Sequence, residues 1–212
     1  MHPHDCPGWD YEHHPRHDSI LPSLCEALLL SLKNGHVEHL SACSDTRFSH
    51  GCLFGRLTPD NYPYFAGHYR GEDFRCLKYY DVRVGMDPRV GVYAAGVIRA
   101  ANFLSEALET GFKVLEEAWA KPDTHLPRHQ KIFYTVAFST RILVEFLRIH
   151  PYANGNGHMG RFIIFMILAK FNLWPKKWPL DESPPYHQLI SDYRDGKPDA
   201  LEQFILRCLI GK

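Results

Sequence analysis

Two segments of the chain, residues 130–149 (QKIFYTVAFSTRILVEFLRI) and 157–171, are apolar around most of a helical circumference, and they constrain the fold more than any other feature of the sequence. A helix without a polar face cannot lie on a surface, so both segments must be enclosed by other elements. The longest uninterrupted apolar run, residues 162–169, is far short of the roughly 20 residues a membrane span needs. The two segments are therefore read as the centre of a globular core.

Helical signals continue on either side. Residues 19–33 (SILPSLCEALLLSLK) end at Asn34-Gly35, which suits a left-handed C-cap. Residues 91–110 are amphipathic, and 111–120 continue helically before Lys121-Pro122. The tail, 184–210, reads as two short helices parted by Asp195-Gly196-Lys197-Pro198. Residues 49–88 are dense in Gly, Pro and aromatic residues. The two β-forming runs there, 74–78 and 80–84, suffice for a hairpin but not for a sheet. The predicted fold class is mainly all-α with a small β-hairpin. At roughly 150 residues per domain, residues 19–212 make one domain, preceded by an irregular arm of His- and Pro-rich sequence over 1–18.

An apolar share of 45% with 23% charged residues fits a soluble globular protein and excludes a disordered or collagen-like chain. Lys plus Arg and Asp plus Glu both number 24, which removes the charge signature of a nucleic-acid binder or a polybasic membrane anchor. The six cysteines, at 6, 25, 43, 52, 76 and 208, are dispersed without a C-x-x-C pair, and the N-terminus has no apolar leader core. Together these features predict reduced thiols and a cytoplasmic setting. His2, His4, Cys6, His13, His14 and His17 lack the paired spacing of a zinc site, so the arm is read as solvated and no metal site is assigned.

Chemistry concentrates between the two buried helices, in His150-Pro151-Tyr152-Ala153-Asn154-Gly155-Asn156-Gly157-His158-Met159-Gly160-Arg161. Pro151 cannot continue a helix, which leaves His150 at the edge of a rigid one. The glycines of the turn leave backbone N–H groups unscreened, and a turn that runs into a helix N-terminus favours an anion. Asn156 suits the N-cap, with an amide able to donate to a phosphate oxygen. His158 and Arg161 can lean toward the same mouth. An imidazole, an amide bowl and an arginine together suggest transfer of a phosphate-containing group. The letters Gly155-x-Gly157-x-x-Gly160 also match a dinucleotide fingerprint, but a helix precedes them where that motif needs a strand, so it is rejected.

The same stretch resembles the signature of Fic (filamentation induced by cAMP) domains, H-P-F-x-[D/E]-G-N-G-R-x-x-R. Phe65-Ala66-Gly67-His68-Tyr69-Arg70 is similar to that family's entry into a β-hairpin flap, and Tyr186 with Tyr193-Arg194-Asp195-Gly196 resembles its closing helices. The resemblance covers about residues 50–210. It implies a helical core in which His150 is the general base on a target hydroxyl. Asn154, Gly155, Asn156, Gly157, His158 and Arg161 would bind the phosphates of a nucleotide. Gly67, Tyr69 and Arg70 would belong to a flap that docks a target segment by strand addition. The implied reaction moves AMP, or another nucleoside monophosphate, from ATP or another nucleoside triphosphate onto a Ser, Thr or Tyr of a protein. The alternatives are phosphotransfer of the Doc type and a catalytically weak module that binds a nucleotide or partner.

Three positions depart from the pattern. Tyr152 replaces Phe at a packing position, where its hydroxyl requires a partner. Asn154 replaces the acidic residue that holds Mg2+, and an amide oxygen is a weaker ligand for a hard cation. His158 replaces the first arginine and offers neither a bidentate fork nor a permanent charge. The family's inhibitory pattern, [S/T]-x-x-x-E-[G/N], is approached only by Ser105 with Glu109-Thr110, so restraint comes from a separate inhibitory chain or is absent. Arg141, Glu145 and Arg148 are spaced to pair on one helix face.

Overall fold

A computed structural model describes residues 6–84, 87–176 and 186–211. Among these the chain forms α1 (His17–Lys33), α2 (His39–Ser44), α3 (Arg47–Phe54), α4 (Ala94–Ala120), α5 (Arg128–Ile149), α6 (Asn156–Lys170), α7 (Tyr186–Arg194) and α8 (Asp199–Ile210), with single 3-10 turns at Tyr11–His13 and Pro63–Phe65. The mainly helical reading holds.

The two apolar segments lie at the centre. Every residue from Phe162 to Ala169 of α6 is buried, and α6 packs most extensively on α5. α4 packs against α5, α2 against α4 and α6, and α8 against α5. Buried polar side chains on α5 are satisfied locally: the hydroxyls of Thr135, Ser139 and Thr140 each donate to the carbonyl one turn back. Lys131 is 3% exposed, and its ammonium donates to the last carbonyls of α4, at Trp119 and Lys121, and to Asp123. A cation there completes the orphaned carbonyl end of α4.

The segments expected at 91–110 and 111–120 form one helix, α4, which begins at Ala94 and passes straight through Gly111. A Cβ at that position would stand 2.1 Å from the ring of Phe138, so the missing side chain lets α5 approach α4. Arg148 pairs with Glu145 through two short contacts of 2.6 and 2.8 Å, while Arg141 stays exposed.

Three expectations are corrected. Among the described residues no strand forms, so the β-hairpin over 74–84 is not present. The Asp81 carboxylate accepts the first N–H of α4, and backbone carbonyls there are committed elsewhere: Leu77 O accepts Gly71 N–H and Tyr80 O accepts the Arg70 guanidinium. A two-stranded ladder would need those groups for itself. Next, the arm is not a solvated segment from residue 6 onward. Trp9 is 5% and Tyr11 4% exposed, and both pack into the core; His2 and His4 lie outside the described residues. Finally, the six cysteines are not all thiols. Cys6 and Cys76 form a disulfide across 70 residues. The pairing joins two loops with no periodic pattern between them, and removes the basis for placing the chain in a reducing compartment.

Candidate functional site

α5 stops at His150, whose backbone is left-handed with φ +54°. That region costs a non-glycine residue about 1–2 kcal/mol, and strain of this kind collects at functional positions. The imidazole Nδ1 lies 3.2 Å from Leu147 O. A carbonyl only accepts, so Nδ1 carries the proton and Nε2 keeps its lone pair. Burial, opposed in part by that hydrogen bond, pushes the His150 pKa down to about 4, and the Arg70 and Arg194 guanidiniums push in the same direction. The ring is neutral and able to accept a proton at physiological pH.

The loop after His150 is clipped shut. Tyr152 N–H donates to Asn156 Oδ1, and Asn156 Nδ2 donates to Tyr152 O, both at 2.9 Å. Both ends of the Asn156 amide are therefore engaged, and the residue is 2% exposed. Contrary to expectation, its side chain is neither the N-cap of α6 nor turned toward a phosphate. Gly155 takes the N-cap instead, at φ +78°. A Cβ on Gly155 would stand 2.6 Å from the Phe54 ring and 3.0 Å from His50 Nε2, so both conformation and space require glycine. The N–H groups of Asn156, Gly157 and His158 open α6 and have no acceptor among the described residues. Unpaired N–H groups at the start of a helix are an arrangement that favours an anion.

Arg161 folds back beside them, since a Cβ on Gly157 would stand 3.5 Å from its Nη1. Its Nε is enclosed yet has no acceptor among the described residues, and the same is true of Arg194 Nε. His158 is held in place by a 3.1 Å hydrogen bond between its Nδ1 and the Tyr11 hydroxyl. Burial first, then the charges of Arg161 and His17, push its pKa down to about 3. Asn154 is committed on both sides: Oδ1 accepts Gly155 N–H and Nδ2 donates to Trp9 O. No group of three or more His, Cys, Asp or Glu that could hold a metal ion forms among the described residues. At the position where the resemblance implies an acidic ligand for Mg2+, Asn154 presents an amide whose two polar atoms are both engaged.

Gly67, Tyr69 and Arg70 meet the motif from beneath rather than offering a docking edge. Arg70 is 0% exposed, and its guanidinium donates to the carbonyls of Tyr80, Val92, Ile149 and His150 at 2.6–3.1 Å. Two of those carbonyls close the C-terminal end of α5, where a cation is favoured. Burial pulls its pKa down to about 10, which still leaves it charged at neutral pH. Tyr69 is buried with its ring 5.1 Å from that of Tyr152. The Tyr152 hydroxyl has the partner its position requires, Thr46 Oγ1 at 2.7 Å.

Four further residues take part around the loop. His50 accepts Gly67 N–H at Nδ1 and so donates from Nε2 to Asn154 O, while its ring stacks 3.7 Å above that of Tyr152. Trp9 and Tyr11 strap the arm over the loop, and Arg194 on α7 adds a cation near His150. Only the letters Tyr193-Arg194 in the tail signalled any of these. No family of known proteins, no curated protein and no solved structure matches the chain.

Proposed function

We propose that this protein is a Fic-type transferase that moves a nucleoside monophosphate, AMP in the first instance, from a nucleoside triphosphate onto a Ser, Thr or Tyr hydroxyl of a target protein. The observation that carries the reading is the pairing of a base with an anion site on one short loop. His150 has a fixed tautomer with Nε2 open, and six residues later three N–H groups and Arg161 gather at the start of α6. In the reaction, Nε2 takes the proton of the target hydroxyl, whose oxygen attacks the α-phosphate, and pyrophosphate leaves. Fixed donors stabilise charge on the phosphate without reorganising, and proton transfer by a positioned imidazole contributes about 10²–10⁴-fold.

The arm supports a second reading, a module that binds nucleotide or partner without transfer, because Trp9 O and the Tyr11 hydroxyl already occupy Asn154 and His158. Incubation with cell lysate and ATP labelled at the α- or γ-phosphate separates the readings. Protein labelled from the α position supports nucleotide transfer. Label from γ alone supports a Doc-like phosphotransferase, and no label from either, despite measurable nucleotide binding, supports the module. No described helix is long and apolar enough to cross a membrane. The working location we propose is a compartment oxidising enough to keep Cys6–Cys76 closed.

A further inference from the structure

Between α1 and α6 lies a groove of about 570 Å³, within the size range of small-molecule sites. Leu21 and Leu29 of α1 form one wall, and Phe165 of α6 with Trp174 beyond it the other. Space of this size beside packed helices leaves its lining without the dispersion contacts a filled core supplies, and a ligand that fits gains them. The charged residues of α1 that border the groove, Asp18, Glu26 and Lys33, are exposed, which leaves the wall between them apolar.

Three features identify the occupant. The first is where the groove begins. His158 lines it, and the N–H of that residue is one of the three that open α6 without an acceptor among the described residues. The groove thus continues from the anion-favouring turn. The second is charge. Arg161 and His17 both act electrostatically on the His158 ring, and Arg161 Nε is enclosed with no acceptor among the described residues. Basic groups therefore gather at this end. The third is spacing. Phe165 follows His158 by seven residues, two turns along one face of α6, which at the helical rise is about 10 Å. The Trp174 ring stands 6.4 Å from that of Phe165. A nucleotide has the same layout: anionic phosphates at one end, a flat heterocycle that stacks on aromatic rings at the other, and a ribose between them.

We propose that the α1–α6 groove receives the ribose and heterocycle of a nucleotide whose phosphates lie on the opening turn of α6, with Phe165 and Trp174 as the walls for the base. The proposal rests on the reading of that turn as a phosphate site. Calorimetric titration of the full chain with two probes, a non-hydrolysable ATP analogue and inorganic tripolyphosphate, separates the groove from the turn. The wild type binds both. Trp174→Ala removes a wall for the base, and Leu29→Trp fills the groove. Each weakens the analogue about tenfold or more, the worth of one stacked base, and leaves tripolyphosphate within about twofold of wild type. Thermal melting checks that each variant is folded at the temperature of the titration. A wild type that binds tripolyphosphate but not the analogue, or folded variants that weaken neither probe or both alike, would overturn the groove proposal and leave the turn standing. A wild type that does not bind tripolyphosphate would overturn the reading of the turn, and the groove proposal with it.

Discussion

Between Arg128 and Lys170 the backbone is ordered by two helices whose hydrogen bonds run within themselves, interrupted only by the motif loop. Between Cys6 and Val84 the chain holds its path through single long-range clasps: the disulfide to Cys76, Trp9 Nε1 to Leu57 O, His50 between Gly67 and Asn154, and Arg70 on four carbonyls. The first region carries the proposed base and anion site, and the second holds and covers that loop. The two therefore differ in what a substitution removes. In the helical pair a change at the loop removes chemistry and leaves the packing. In the wrapping chain a change removes a clasp on which a long stretch depends.

The sharpest way to break this contrast is a substitution in each region. His150→Asn keeps a residue at ease in the left-handed conformation but removes the base. Transfer falls about 10²–10⁴-fold with the melting temperature at or above that of wild type, checked by labelled-ATP assay and calorimetry. Arg70→Ala does the opposite. It orphans four buried carbonyls and costs more than about 3 kcal/mol by denaturant unfolding, the loss of activity following from the loss of folded protein.

A smaller effect tests the strap. Cys6→Ser opens a loop of 70 residues and lowers stability by about 2–4 kcal/mol. The freed arm exposes Trp9, read as a red shift in tryptophan emission, while the helices stay intact by circular dichroism. An unshifted emission would mean that the hydrogen bonds of Trp9 and Tyr11 hold the arm unaided.

The test that alters no residue is acid. His50 is pushed down to about 3, His158 to about 3 and His150 to about 4, in each case by burial first. Because the unfolded chain takes up these protons near pH 6.5 and the folded one does not, stability is complete above about 6.5 and declines as pH falls toward 3. For the fully buried His50 the slope is roughly 1.4 kcal/mol per pH unit within that window. His50→Gln lowers stability at neutral pH but flattens this decline, which unfolding titrations at several pH values would show.

The same contrast explains what was legible in the sequence. α5, α6 and the loop between them announce themselves through apolar periodicity and through Pro151 and Gly155, whose backbone limits are local. The helices α2 and α3 were not foreseen, because each is short and lies among residues without a sustained period. The β-forming letters of 74–84 did not make strands, because propensity yields where Arg70 and Asp81 claim the backbone or its neighbours. Nor could the sequence reveal that the Asn156 amide would turn inward to Tyr152, or that Cys6 would meet Cys76: both depend on where distant loops come together.

The central claim is that the N–H groups opening α6 receive a nucleotide phosphate beside a neutral His150. Amide NMR of the protein titrated with a non-hydrolysable ATP analogue tests it most directly. The account predicts that the Asn156, Gly157 and His158 amides shift together and saturate at one concentration, that Arg161→Ala weakens this response roughly tenfold or more, and that His150→Asn leaves it in place. Saturable shifts confined to another face, or amides at 156–158 that remain still throughout, would contradict it.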